Sequence, residues 1–207
     1  VCREQMQGKT RAGGSGPQDR REAILMAALD CFNRHGIEAS SIGEIGRLAG
    51  ASVGSIYHHF SSKEGIAIAL LAEGLRNHVR QLEARLRKPG AAQQGVRTVV
   101  RCLIDWVAAN PEWAGYIYNV SSTRLMQAGQ AQLQEVNDYY AAVMDAYFGP
   151  HLKAGAFRKL PKDCLPSLML GPVHDYARRW LNGQVSSNIV EHAEVFAAAA
   201  WNNLRAI

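Results

Sequence analysis

The chain has 207 residues, of which 47% are hydrophobic and 20% are charged. This is enough apolar material for one large domain, or for a small domain joined to a larger one. No apolar run approaches the roughly 20 residues that cross a bilayer, and residues 1–16 lack the apolar core of a secretory signal. We therefore expect a soluble, cytoplasmic protein with no membrane partner.

The net charge of +5 is not concentrated at the N-terminal end. Lys and Arg exceed Asp and Glu by one in residues 1–66 and by four in residues 67–207. Bulk charge therefore does not identify a nucleic-acid-binding region, and such a role has to rest on residue arrangement.

The four cysteines are far apart in sequence and form no C-x-x-C pair, which argues against a zinc knuckle or a redox motif of that kind. We predict free thiols in a reducing compartment. Cys31 lies in an apolar helical pattern and is interpreted as a core residue.

From residue 18 onward, apolar residues recur every three to four positions, which predicts an all-α protein of about nine helices. Residues 1–17 are rich in Gly and Gln, lack this periodicity and are predicted to form a mobile tail. A cap at Asp19 and a stop at Gly36 bound the first predicted helix. Capping boxes at Ser41 and Ser61 begin the second and fourth.

The third predicted helix follows Ser52, and the fourth is closed by Pro89-Gly90. Five further helices start near Val96, after Pro111, and near Ala128, Lys162 and Asn188, and the third of these is predicted to end at Gly149-Pro150.

The segment Ala49–Phe60, AGASVGSIYHHF, joins the second and third predicted helices. Two helices joined by a turn of about four residues containing Gly50 follow the helix-turn-helix plan, whose second helix enters the DNA major groove. Small residues suit its start. Ser52 can cap the helix or bond a phosphate, Gly54 permits close backbone approach, and Ser55 can reach a base edge.

Tyr57, His58 and His59 continue this helix by one turn and can contact phosphates or base edges. The adjacent histidines raise two alternatives, a metal site and a catalytic pair. Neighbours on a helix point about 100 degrees apart, and no further ligand type stands at i+4 from either histidine. No local acid or nucleophile supports catalysis. We predict no metal, no cofactor and no catalytic residue.

The run SSIGEIGRLAGASVGSIYHHFSSKEGI resembles the DNA-binding motif of the tetracycline-repressor (TetR) family of bacterial transcriptional regulators. The preceding REAILMAALDCFNRHGIEA resembles that family's first helix, so the close match covers about residues 20–66. The resemblance implies a helix-turn-helix domain over residues 18–62. It also implies a helical domain for ligand binding and dimerisation over residues 63–207.

By analogy with the family, one set of side chains would face a double-stranded DNA operator, with Lys63 pairing with a phosphate at a helix N-terminus. The predicted DNA-binding residues are Ser41, Gly43, Ser52, Val53, Gly54, Ser55, Tyr57, His58, His59 and Lys63. Three positions depart from the family pattern. Gly43 and Val53 stand where relatives often carry polar side chains, and Gly46 replaces a usual alanine at a cost of roughly 1 kcal/mol if exposed.

Aromatic and methionine side chains, several with a polar group, recur along the middle helices and suit a pocket for a small apolar or aromatic effector. Simple core packing is the alternative for each. His174 and Arg178 lie one turn apart and could orient a ligand anion, or form a salt bridge instead. The candidate ligand-binding residues are Trp106, Trp113, Tyr116, Met126, Tyr140, Met144, His174 and Arg178.

The last two predicted helices carry an apolar stripe and the small-residue run AAAAW, which together suit a four-helix dimer interface. Burial within one chain is the alternative. The predicted interface residues are Leu165, Leu168, Met169, Tyr176, Trp180, Phe196, Ala199 and Ala200.

These observations together predict a homodimeric DNA-binding regulator, not an enzyme. We expect a repressor that a small-molecule effector releases from a palindromic operator. A two-fold dimer would place its reading helices about 34–36 Å apart. Two alternatives remain: a helical-bundle enzyme that uses His174 as a base, and an adaptor that binds protein through its first three helices.

Overall fold

The computed structural model describes residues 16–120, 125, 127, 129–161 and 164–206. Nine α-helices and one short 3₁₀ helix occur in these ranges, which confirms the all-α prediction. The helices are α1 (Pro17–Ala39), α2 (Ile42–Ala49), α3 (Val53–Phe60), α4 (Lys63–Leu86), α5 (Ala92–Ala109), α6 (Pro111–Asn119), α7 (Gln130–Lys153), α8 (Cys164–Leu181) and α9 (Ala193–Leu204), with the 3₁₀ helix Ile189–His192 before α9.

The described residues pack as two compact units. The first combines the chain up to Gly74 with Glu112–Leu133, and the second combines Leu75–Pro111 with the chain from Gln134 onward. Helix α4 therefore contributes residues to both units. The predicted division by function, into a reading domain over 18–62 and an effector domain after it, stays a prediction.

Each unit has its own apolar core. Cys31 lies in the first core, where burial, with the nearby carboxylate of Glu44 as a smaller cause, raises the pKa of its thiol. The first core contains Ile24, Ala28, Leu29, Phe32, Ile45, Ile56, Ile66 and Leu70, and the second contains Val79, Leu82, Val96, Val99, Ile104, Val107, Val173, Ala177, Ala197 and Leu204. None of the helices in the described ranges combines the length and hydropathy that a membrane span requires.

Serine hydroxyls cap the N-termini of several helices by accepting hydrogen bonds from backbone N–H groups. The Ser41 hydroxyl accepts a hydrogen bond from the Glu44 backbone N–H at 3.1 Å, and Ser52 accepts one from Ser55 at the same distance. The predicted cap of α4 is wrong by one residue, because Ser61 has a φ of 61° and ends α3 instead. The hydroxyl of Ser62 caps α4 by accepting from the Gly65 N–H at 2.9 Å.

Other predicted helix boundaries also differ from the structure. Helix α1 begins at Pro17, earlier than the predicted cap, because proline suits the first helical position and Asp19 accepts from the Gly16 N–H. Helix α7 continues past the predicted stop to Lys153. Pro150 lacks only one backbone N–H there, and it lies close enough to the helix end to be accommodated.

Candidate nucleic-acid interface and effector site

The turn between α2 and α3 depends on two glycines. Gly50 ends α2 in the left-handed region with a φ of 61°, and the next backbone N–H, that of Ala51, donates to the Gly46 carbonyl at 2.9 Å. A Cβ on Gly46 would lie 2.7 Å from the Ala51 carbonyl oxygen. Gly46 is buried, so the cost expected for an exposed glycine does not apply, and its missing side chain is what lets the turn close.

Helix α3 has one buried face and one exposed face. Ile56 and Phe60, one turn apart, are 1% and 7% exposed and anchor the helix in the first core. Val53 and Tyr57, also one turn apart, are 47% and 49% exposed. An exposed apolar side chain and an exposed phenol at this spacing give the helix a surface that can contact another molecule.

The structure places the predicted DNA-binding residues on the surface of the first unit, and their contact with DNA stays a prediction. Ser41, Gly43, Ser52, Val53, Gly54, Tyr57 and His58 are exposed, whereas Ser55, His59 and Lys63 are half-buried.

Three cationic side chains near this surface make contacts within the first unit. The Arg20 guanidinium donates to the Gly50 carbonyl at 3.2 Å, and Arg21 lies over the Phe60 ring at 5.3 Å from its centroid. The Lys63 ammonium donates to the carbonyls of Glu38 and Ser40 at 2.7 and 3.0 Å, so it ties α4 to the end of α1. Any phosphate contact of Lys63 would share this ammonium with those carbonyls.

The predicted ligand-binding residues are divided between the two units. Trp113 and Tyr116 belong to the first, and Met126 lies outside the described residues. The Tyr116 hydroxyl donates to the Ala67 carbonyl at 2.7 Å, and its ring stacks on Phe32. Burial raises the pKa of Tyr116. Its polar group is therefore satisfied inside the protein, as in ordinary core packing.

Five of the predicted ligand-binding residues lie in the second unit. Trp106 is buried, and Tyr140, Met144 and His174 are half-buried, while Arg178 is exposed. Burial raises the pKa of Tyr140 to about 12. Burial, with Arg178 as the smaller cause, lowers the pKa of His174.

A polar cluster on α4, which the sequence analysis missed, lies beside Trp106. The Trp106 indole N–H donates to the Asn77 side-chain oxygen at 2.8 Å, and Gln81 donates to the same oxygen at 3.1 Å. The His78 ring meets the Trp106 ring nearly edge-on, with centroids 5.7 Å apart. The only signal in the sequence is that polar residues 77, 78 and 81 interrupt the apolar face of a helix.

A separate cavity of about 620 Å³ lies in the second unit, between the end of α4 and the second half of α7. Leu86, Val143 and Tyr147 contribute to its walls, and Glu83 accepts a hydrogen bond from the Tyr139 hydroxyl there at 2.7 Å. None of the predicted ligand-binding residues described by the structure lines this cavity.

The predicted dimer residues differ in accessibility within the single chain. Met169 and Ala200 are buried, and Ala199 is exposed. The Tyr176 hydroxyl lies 2.8 Å from that of Ser187, and its ring contacts Phe196. Leu165, Leu168, Tyr176, Trp180 and Phe196 are half-buried. Their participation in an interface stays a prediction.

Within the described ranges, no group of three or more His, Cys, Asp or Glu side chains is placed to hold a metal ion. The His58 and His59 rings are 5.5 Å apart in an edge-on arrangement. The described part of the chain thus offers the histidine pair no further metal ligand.

The helix-turn-helix region of this chain is similar to known proteins. Residues 24–70 match the family described as bacterial regulatory proteins, tetR family. The HTH-type transcriptional repressor AcnR of Corynebacterium diphtheriae is 33% identical over 99 residues, which cover 45% of this chain and 47% of AcnR. The match thus spans about half the length of that relative.

Two other proteins are similar over most of the chain. The HTH-type transcriptional activator FasR of Mycolicibacterium smegmatis is 26% identical over 198 residues, covering 95% of this chain and 89% of FasR. The structure of FadR from Bacillus subtilis in complex with stearoyl-CoA has a TM-score of 0.75 at 18% identity, covering 88% of this chain and 98% of FadR. Its likeness shows the fold.

The matched family segment contains the whole of α2, the turn at Gly50 and α3, together with most of α1. The relatives named above are transcriptional regulators. With the shared fold, these matches confirm the resemblance seen in the sequence: residues 24–70 match the TetR family of bacterial regulatory proteins, and the chain shares the fold of FadR.

Proposed function

We propose that the chain is a cytoplasmic, homodimeric transcriptional repressor that reads a palindromic operator with α3 and releases it when a small-molecule effector binds. The observation that carries the proposal is the exposed face of α3. Ser52, Val53, Gly54 and Tyr57 are accessible there, while Ile56 and Phe60 fix the helix in the core. A rigid helix whose N-terminal residues are small and exposed is suited to the major groove.

The regulatory part of the proposal rests on α4. This one continuous helix begins beside α3 at Lys63 and carries the polar residues Asn77 and His78 two to three turns before its end. An effector that favours one position of α4 would change the population of DNA-competent dimers. The stearoyl-CoA bound to FadR supports a largely apolar effector with a polar end.

The same proposal holds that the protein represses transcription, as opposed to activating it, and that it has no enzymatic activity. AcnR is a repressor and FasR an activator, so relatives of both kinds exist. A promoter fused to a reporter gene distinguishes them, because repression predicts higher expression when the regulator is deleted. Lower expression after deletion would identify an activator.

DNA reading is tested by recovering genomic fragments bound to the purified protein and measuring their affinity by fluorescence anisotropy. We expect Tyr57→Ala to bind the recovered site about tenfold or more weakly, a loss of about 1.4 kcal/mol or more. Leu152→Ala is the matched control, since Leu152 is 44% exposed on α7 in the second unit. A folded Tyr57→Ala protein with unchanged affinity would contradict the proposed reading surface.

A further inference from the structure

Helix α3 has no side chain that can form two hydrogen bonds with a single base. Its sequence, VGSIYHHF, contains no Arg, Lys, Asn, Gln, Asp or Glu. Arg and Lys are the usual bidentate partners of guanine, and Asn and Gln are those of adenine. The hydroxyl of Ser52, just before the helix, accepts a hydrogen bond from the Ser55 backbone N–H and so caps it. Recognition of purines by paired hydrogen bonds is therefore not available to α3.

The exposed face of α3 offers apolar surface instead. Val53 and Tyr57 are about half exposed, and they lie one turn apart, about 6 Å along the helix axis. Val53 occupies the first position of α3, and the N-terminal residues of a reading helix are those that approach base edges. Contact between these side chains and an apolar group of a partner would remove both from water, which is favourable.

Gly54 also indicates that this face contacts an outside molecule. It is exposed, lies within α3 and does not have a positive φ. A Cβ at this position would meet nothing within 4 Å. Glycine weakens a helix relative to alanine, and here neither backbone conformation nor packing among the described residues requires it. Its missing side chain leaves the backbone beside Val53 open to close approach by a partner.

We infer that α3 recognises its operator through the C5-methyl group of thymine, with Val53 contacting the methyl group and Tyr57 extending the apolar surface. The inference rests on the proposed reading of DNA by α3 and names the base feature that determines specificity. Among the four bases of unmodified DNA, thymine alone presents a methyl group in the major groove. The polar edge of another base would lose water against Val53 without gaining a hydrogen bond.

The test compares operator duplexes that differ only in methyl groups. The full-length protein is used to recover its genomic site, and each half-site thymine is then replaced by deoxyuridine, at the same position in both half-sites. Deoxyuridine keeps the O4 acceptor and lacks only the methyl group. We expect at least one position at which this exchange weakens binding by about tenfold, measured by fluorescence anisotropy. The control exchange, at thymines outside the half-sites, should leave the affinity unchanged.

A variant assigns the contact to Val53. The readout is the ratio of the affinities for the thymine duplex and for the deoxyuridine duplex at the sensitive position. This ratio should fall from about ten in the wild type to about one in Val53→Ala, because the contact is then already missing. Val190→Ala is the matched control, since Val190 is 44% exposed in the 3₁₀ helix before α9. It should keep the wild-type ratio.

Two results would overturn the inference while leaving the proposed function intact. The first is equal binding of thymine and deoxyuridine duplexes at every half-site position, while Tyr57→Ala still weakens binding: α3 would then read DNA without the methyl group. The second is a wild-type ratio in Val53→Ala, which would assign the methyl contact to another residue. If the wild type enriches no genomic fragment at all, the proposed reading of DNA fails, and the inference fails with it.

Discussion

At the scale of single residues, the half-buried His78, whose Nε2 atom is enclosed, should make the stability of the protein depend on pH. Burial, helped by His174 and Arg85, lowers its pKa from 6.5 to about 4. Between these values the unfolded chain binds a proton that the folded chain does not. The contribution of His78 to the free energy of unfolding is therefore highest above pH 6.5 and falls by about 3 kcal/mol as the pH is lowered to about 4. The lowered pKa of His174 adds to the loss in the same direction.

Urea unfolding of the wild type and His78→Phe at about pH 7.5 and about pH 4 measures this contribution. The variant should lose about 3 kcal/mol less stability on acidification than the wild type. Replacing His58 by phenylalanine serves as the control, because His58 is exposed. Equal acid sensitivity of all three proteins would show that His78 is not the titrating group.

Some residue roles could be predicted from the sequence because they depend on neighbours in the chain. The Ser41 and Ser52 caps involve a hydroxyl and a backbone N–H three residues later, and both were predicted. The surroundings of His78 could not be predicted in this way. They involve Trp106 and His174, which lie 28 and 96 residues further along the sequence. Spacing along one helix carries no information on such contacts.

At the scale of helices and turns, the junction of α3 and α4 is determined by two adjacent serines and a glycine. Ser61 takes a φ of 61° to end α3, Ser62 caps α4, and Gly65 passes the Phe60 carbonyl so closely that a Cβ would overlap it. The sequence pattern Ser-x-x-Glu fits a cap at Ser61, so it could not reveal that the preceding helix needed this residue for its own end. The two helices could be predicted from the sequence. Which of the two serines ends α3 and which one caps α4 could not.

Gly65→Ala should destabilise the protein by about 1–3 kcal/mol, because the overlap involves backbone on both sides and cannot be relieved by a rotamer change. Gly43→Ala is the matched control in α2: Gly43 is exposed and a Cβ there meets nothing within 4 Å. The control should gain up to about 1 kcal/mol from helix propensity. Chemical denaturation compares the two, and a Gly65→Ala protein as stable as the wild type would contradict the tight junction.

At the scale of the whole molecule, the aromatic residues on the middle helices illustrate the limits of sequence reasoning about a binding site. Trp106 and Tyr116 were predicted as ligand-binding because each combines a large apolar ring with a polar group. In the structure those polar groups bond to Asn77 and to the Ala67 carbonyl. Composition can identify side chains suited to a pocket, but whether their polar groups remain available is decided by the fold.

The proposed dimer gives the last prediction, since a two-fold regulator needs both reading helices. Val195 on α9 is 66% exposed, and Ala199, one turn later, is also exposed. A glutamate at position 195 would face its symmetry mate or a nearby apolar surface in an interface built on α8 and α9. We expect Val195→Glu to raise the dimer dissociation constant about tenfold or more, corresponding to about 1.4 kcal/mol.

Sedimentation analysis measures the dimer dissociation constants of Val195→Glu and Leu152→Glu. Leu152→Glu is the control, because it introduces the same charge. Leu152 is 44% exposed but lies on α7, outside the predicted surface. Because the proposed operator is palindromic and would be bound by the dimer, Val195→Glu should also bind a full operator more weakly at low protein concentration, while Leu152→Glu should not. If both variants remain equally dimeric, α9 does not form the interface. If only Leu152→Glu dissociates, the interface includes α7 instead, and the reading helices must be related by a different two-fold axis.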